Sequence, residues 1–361
     1  MKRLISILLL AAVLLTLTAC GTTKTQTPAA EQPAEAPETA AVEDSATVIA
    51  LSGSGADISG GGAKAQDGTV TISAVGTYTL SGKLEGQVVV DTGDDAMNVT
   101  LILDGADISN SAGPALLIRQ AKNLHLQLKG ENRLCSGARA DLAKYDGTAS
   151  GAALFSEDDL DIEGEGSLEI LGYLNNGITC KDDLDINSGT IAVTAANNGI
   201  RASESVEIKG GSITVSAGND GVKTSSAKKE GKGYVDVSGG TLRIESSGDG
   251  ISAASDLTLS GGSIFVAADK QALQAAGALQ LGDCLLQALS DSKNQAEPAS
   301  SDTPYLFCSM KGNDGDTLSF GQVSFTADMD YKVILYASKE LKAGETLQVS
   351  NGRSSVTATV K

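Results

Sequence analysis

Acidic residues recur in this chain in pairs and in phase: Asp158-Asp159 and Asp182-Asp183, then Glu204 and Asp256 at corresponding places further on. A second polar series ends each time in glycine. Asn176, Asn198, Asp220 and Asp249 precede Gly177, Gly199, Gly221 and Gly250, with Asn175, Asn197, Asn219 and Gly248 one place earlier. Carboxylates and side-chain amides are hard oxygen donors, and several of them converging from adjacent segments, together with main-chain carbonyls, make a calcium site. Calcium accepts about six to eight oxygens in forgiving geometry, whereas magnesium demands a tighter octahedron and keeps its water. The expected calcium ligands are Asp158, Asp159, Asp182, Asp183, Asn198, Asn219, Asp220 and Asp249. Each series also has a plainer reading. A single acid can be an ordinary solvated charge, and stacked asparagines can form an amide ladder at a bend, where Asn tolerates left-handed backbone and Gly tolerates any. The ladder suits Asp220 and Asp249 less well, because two carboxylates one layer apart repel unless a cation or a basic group stands between them.

Catalytic chemistry finds little else to work with. His125 is the only histidine, so neither a histidine triad nor a zinc site built on two histidines can be assembled, and a core or surface residue is expected there. The stretch "GSGADISGGG" is followed by neither a helical pattern nor the lysine of a phosphate loop. Paired carboxylates suit glycoside hydrolysis, but acids are too abundant here to single out two. Calcium with an arginine base would be lyase chemistry on a uronate polymer. Arg201, two places after Gly199, is the best-placed arginine, and a solvated strand residue is its competing reading. Tyr145, Tyr173 and Tyr234 join Arg201 as candidate sugar contacts, while the absence of Trp argues against a flat aromatic platform for crystalline cellulose.

Something must bring these residues together, and the chain repeats itself to do so. Gly177, Gly199 and Gly221 stand 22 residues apart, followed by Ile178, Ile200 and Val222. The next corner, Asp249-Gly250-Ile251, is delayed by the polar insertion "SAKKEGKG" at 226–233, and a decayed copy follows at Lys270-Gln271-Ala272-Leu273. Within each copy, triplets such as Leu184-Asp185-Ile186 and Ile191-Ala192-Val193 alternate apolar and polar residues and are broken by glycine turns, which predicts three short strands per repeat. Three strands in about 22 residues fit one coil of a parallel β-helix. Further coils are expected at 113–137 and 151–172, an insertion between them, opening strands in "GTYTLSGKLEGQVVVD" and "NVTLILDGADIS", and a β C-terminal cap over about 290–361. With 42 Gly and 3% aromatics, such a core must be built from small and β-branched side chains.

The N-terminus reads as an address. "MKRLISILLLAAVLLTLTAC" has a basic start, an apolar run and a lipobox ending at Cys20, so residues 1–20 are expected to be a lipoprotein signal peptide with Cys20 lipid-modified. Residues 21–46, rich in Pro, Ala, Thr and Glu, are expected to be a disordered tether that hangs the 47–361 body outside the cytoplasmic membrane, anchored there only through the lipid. A formal charge of −18 repels nucleic acid and anionic lipid and attracts cations. The body is expected to be a monomer. Cys135, Cys180, Cys284 and Cys308 match no zinc spacing, and Cys180 falls on the inward phase of its repeat, as a small core residue would.

In order along the chain, "GTYTLSGKLEGQVVVDT", "LFSEDDLDIEGEGSLEI", "NNGITCKDDLDINSGTIAVTA", "NDGVKT", "GYVDVSGGTLRIESSGDGISAASDLTLSGGSI" and "ASKELKAGETL" resemble the carbohydrate-binding domain family of bacterial surface lipoproteins, over about residues 47–350. The resemblance implies an all-β, right-handed parallel β-helix of the pectate-lyase type that binds calcium and acidic or cellulosic plant polysaccharide, without catalysis as the rule. The family's Ser-Lys-Asp-Asp-Leu phrase matches Ser156–Leu160 and, more loosely, Cys180–Leu184; its Asn-Asp-Gly and Gly-Asp-Gly corners match 219–221 and 248–250. The last coil departs from it at Lys270-Gln271, so the metal ligands are expected between 158 and 256. The expected function is calcium-dependent, non-catalytic binding of a uronate polymer such as polygalacturonate. A calcium-dependent lyase and a structural spacer or adhesin are the alternatives.

Overall fold

The structure is a computed structural model that describes residues 46–93, 98–139, 151–226 and 230–361. The compact unit containing them runs from Asp44 to Lys361. Among the described residues every extended element is a strand, and no α-helix interrupts them. The repeat that opens at Asn176 gives strands Asn176–Cys180, Asp183–Ile186 and Thr190–Ala195; the next gives Ile200–Ala202, Ser205–Ile208 and Ser212–Ala217. Each strand pairs in parallel with its counterpart one repeat on. Ile178 lies opposite Ile200, Leu184 opposite Val206, and Ile191 opposite Ile213, so identical positions stack without slip. First strands make a ten-stranded sheet, and second and third strands belong to one of 21 strands.

Stacking explains why the sequence repeats. Leu160, Leu184, Val206, Val235 and Leu257 form one inward column with no exposed surface, and Ile162, Ile186, Ile208, Val237 and Leu259 form the next. A residue that fits one layer fits its neighbours, so each column keeps its size. Cys180 sits fully buried among these columns, and all four described cysteines are buried, unpaired thiols.

The ends depart from the repeat. Parallel pairing begins earlier than the repeat is visible, at Thr47–Gly53 against Gly76–Glu85, and the glycines of "GSGADISGGG" belong to the hairpin that folds Gly55–Ser59 back on the first strand. In Asn98–Asn110 the second and third strands are one continuous run, which pairs with both Asn123–Lys129 and Glu131–Ser136 and turns at Gly105, whose φ is 74°. At the other end Leu285–Ser290 pairs antiparallel with Tyr331–Ala337, and a separate core of Leu318, Phe320, Tyr331, Ile334 and Tyr336 lies under a four-stranded antiparallel sheet.

The corners correct one expectation. No Asn or Gly of the corners at 175–177, 197–199, 219–221 and 248–250 is left-handed, and Asp67 is the only non-glycine with positive φ among the described residues. Glycine is needed there for space. A Cβ on Gly177, Gly199 or Gly221 would overlap Val193, Val215 or Ile244 from the third strand of its own coil and press on the carbonyl of the next corner. Left-handed glycines sit instead in the turn before the third strand, as at Gly211 and Gly240 with φ of 85° and 76°.

Candidate functional site

Strand alternation sends residues i and i+2 to the same face, so each second strand turns two polar positions outward. The later one stacks as His125, Asp161, Asp185, Glu207 and Asp236 in consecutive layers. The earlier one carries Asn123 beside Asp159, and Asp183 beside Ser205 and Tyr234. Together Asn123, Asp159, Asp161, Asp183, Asp185, Ser205, Glu207 and Tyr234 line a groove of about 330 Å³.

Five carboxylates in one groove require compensation, and it is uneven. Lys232 places its ammonium 2.5 Å from Asp183 and 3.1 Å from Glu204. Lys209 spans Asp185 and Glu207 at 2.6 and 2.9 Å. Tyr234 donates its hydroxyl to Glu207 at 2.5 Å, and Ser205 donates to Asp183 at 2.5 Å. Asp161 meets His125 Nδ1 at 3.0 Å and accepts from the Asn123 amide at 2.8 Å. Asp159 has the thinnest support: it accepts the Asp183 N–H at 3.2 Å and makes no ion pair among the described residues. Its carboxyl is pushed above the ordinary range by burial and by the charges of Asp183 and Asp161, against the pull of that N–H and of Lys232. Asp185 is also pushed up, by burial and the Glu207 charge, despite Lys209. Glu207 goes the other way, because the bonds from Tyr234 and Lys209 outweigh its burial.

The corner series forms a different structure. The Asn176 side-chain oxygen accepts the Asn198 N–H at 3.0 Å, Asn198 accepts the Asp220 N–H at 3.3 Å, Asp220 accepts the Asp249 N–H at 2.9 Å, and Asp249 accepts the Gln271 N–H at 3.0 Å. Each side-chain oxygen thus ties its corner to the next. Asn219 donates to Asn198 at 3.0 Å, and the other Asp220 oxygen takes Lys223 at 2.5 Å, which supplies the basic group that adjacent acids need.

A protein-family model described as carbohydrate-binding domain-containing protein matches residues 66–361. The chain belongs to that family. A carbohydrate-binding domain-containing protein of Acetivibrio thermocellus is 33% identical over 129 residues, 35% of this chain and 45% of the relative, so the match spans less than half the relative's length. A solved structure described as the polysaccharide lyase-like protein from C. thermocellum, gadolinium derivative, superposes with a TM-score of 0.60 at 28% identity, over 71% of this chain and 99% of its own.

In this chain the residues singled out from sequence fall into separate places. Asp159, Asp183 and Tyr234 come together in the groove. Asp158 is turned to the preceding coil, where it accepts the Ala121 N–H at 2.7 Å, and Asp182 lies just before the second strand. Asn198, Asn219, Asp220 and Asp249 are in the corner ladder. Arg201 points outward from the first-strand sheet, in register with Thr179 and Lys223, and Tyr173 is half-buried after a third strand. Tyr145 and Cys20 lie outside the described residues. No three acid, Cys or His side chains among the described residues are gathered into a ready metal shell. Sequence reasoning missed Asp161, Asp185, Glu207, Lys209 and Lys232 as a set. For Asp161, Asp185 and Glu207 the signal was the polar middle of triplets such as Leu160-Asp161-Ile162 and Leu184-Asp185-Ile186, repeated in phase; Lys209 and Lys232 carried none.

Proposed function

We propose that this domain captures an acidic polysaccharide such as polygalacturonate through calcium held in the second-strand groove, and does so without cleaving it. The observation that carries the reading is the uneven compensation of the groove, where Asp159 and Asp161 face it without a lysine in ion-pair reach among the described residues. Their donor set is all oxygen, which fits a hard cation. Because no complete shell stands ready, a sugar carboxylate would supply missing oxygens, and a −18 chain would then hold a polyanion through a bridging cation. Arg201 projects from the other sheet rather than into this groove, which favours capture over an arginine-based lyase reaction. The stacked coils support a right-handed parallel β-helix of the pectate-lyase type as the scaffold. The lipobox supports a body hung outside the membrane from Cys20.

Calorimetric titration of the Asp44–Lys361 unit with polygalacturonate, with calcium and after chelation, tests the proposal. Affinity should fall about tenfold or more on chelation and on Asp159→Asn, the loss of about one charge-assisted contact. Lys232→Met, which strips the ammonium from Asp183 and Glu204, should tighten calcium binding. Equal heats with and without chelator would sink the calcium bridge, and release of unsaturated, ultraviolet-absorbing sugar would replace capture with cleavage.

A further inference from the structure

The first-strand sheet presents a second outward column of a different chemistry. Phe155, Thr179, Arg201 and Lys223 stand in register on four adjacent strands, Thr179 buried under the Asn176 amide and the other three partly exposed, and Lys181 follows Thr179 by two places on the same side. Adjacent strands lie about 4.8 Å apart, so the cations follow one another at the stride of the stack. Arg201 is half-exposed and has no carboxylate partner among the described residues; its guanidinium reaches only the Ser225 hydroxyl, at 3.5 Å. Lys181 is exposed and holds its ammonium 5.8 Å from the centroid of the Phe155 ring. Lys223 is bonded at 2.5 Å to the nearly inaccessible Asp220 carboxylate, which fixes its ammonium at the edge of the column. Glu157 follows Ser156, the register partner of Cys180, and makes no ion pair with Lys181.

A strongly acidic chain that keeps an unpaired guanidinium beside two ammoniums and a half-exposed ring has built a local field opposite to its net charge. Guanidinium binds carboxylate with two parallel hydrogen bonds, which no bridging metal need assist. Phe155 adds an apolar face once Lys181 leaves the ring for an anion. We propose that this column is a second glycan contact, taking sugar carboxylates directly on Arg201 and Lys181 and a sugar face on Phe155, without metal. The proposal rests on the reading that the ligand is an acidic polysaccharide, and adds to it a site that chelation leaves intact.

The test is binding of polygalacturonate to the Asp44–Lys361 unit at low salt with chelator present throughout, which silences the groove. Residual binding is expected. Arg201→Ala should weaken it about tenfold, Arg201→Lys should restore part, and methyl-esterified polymer, which carries no charge, should not bind. Lys223 is left in place because its removal would strand the buried Asp220, and thermal melts of each variant exclude unfolding as the cause. No binding in chelator, or binding that Arg201→Ala leaves unchanged, overturns the proposal. Equal affinity for inorganic polyphosphate also overturns it, since that would be capture of any polyanion. The two readings separate cleanly: binding that appears only with calcium and ignores Arg201→Ala leaves the groove alone standing, whereas binding indifferent to chelator and sensitive to Arg201→Ala leaves only this column.

Discussion

Asp220 and Asp159 look alike in sequence, each an acid beside another polar residue at a repeat position, yet their surroundings use them differently. Asp220 is 2% exposed and both its oxygens are taken, one by the Asp249 N–H and one by Lys223. It is part of the scaffold. Asp159 keeps partial exposure and a carboxyl pushed up by burial and neighbouring charge. A carboxyl whose folded pKa exceeds its unfolded one binds its proton more tightly in the folded state. The stability it contributes is complete below the unfolded value and lost as pH rises through the folded one. Asp159, Asp185, Asp236 and Asp249 all behave this way, with burial the leading cause in each. Glu207 runs opposite: its contribution is present above the ordinary value and lost as pH falls through the lowered one. Without calcium, Asp159→Asn should therefore raise stability at neutral pH by about 0.5 kcal/mol, the scale of a half-exposed charge, and change nothing once the pH is below the carboxylate range. Urea unfolding at the two pH values checks this. A loss of stability at neutral pH would mean that the Asp159 carboxylate already has a cationic partner.

At the scale of the element, the corners show how turn chemistry can be misread. Asn-Asn-Gly looks like a left-handed bend, but the corner glycines are packed from the inside by the third strand of the same coil. Gly221→Ala would drive a Cβ against Ile244 and to 2.6 Å from the Gly250 carbonyl oxygen, so it should cost about 2–3 kcal/mol by overpacking. Gly61→Ala, where a Cβ meets nothing within 4 Å, is the control and should be near neutral. Chemical denaturation of the two variants measures the difference, and equal effects would refute the packing account. The same contrast says what was legible in the sequence. Inward columns such as Leu160, Leu184 and Val206 were readable because stacking forces one residue type to recur at one period. The groove was not. Alternation marks Asp161 and Asp185 only as outward-facing, and the sequence offers no reason to place Lys232 on Asp183, 49 residues away. Likewise the roles of Asp158 and Asp220 depend on which backbone N–H lies one layer over, a matter of register rather than composition.

Across the whole described body, a stack of identical layers has one structural difficulty, which is ending. Each layer satisfies its backbone through the next, so the last coil leaves three strands with open donors and acceptors, a template for pairing with another chain. Three different devices close them. The third strand, Leu285–Ser290, is covered by antiparallel Tyr331–Ala337, and the second, Leu279–Leu281, by the short parallel strand Ser300–Ser301. The first, Leu273–Ala275, is met by a side chain instead: the Gln295 amide accepts the Leu273 N–H at 3.0 Å and donates to its carbonyl at 2.9 Å, doing with one buried residue what a neighbouring strand does elsewhere. Gln295→Leu keeps the apolar contacts and removes both bonds to Leu273, together with the amide's bond to the Ala296 carbonyl at 3.1 Å, leaving the Leu273 donor and acceptor unpaired. It should lower unfolding stability by about 2 kcal/mol and, by reopening a parallel edge, increase light scattering on heating. Gln295→Glu retains the acceptor and loses the donor, so its loss should be smaller where the carboxyl is protonated than where it is charged against the Leu273 carbonyl. If Gln295→Leu unfolds at the same denaturant concentration as the parent and stays clear on heating, the amide is a passive contact, and termination of the first-strand sheet must be credited to the cap alone.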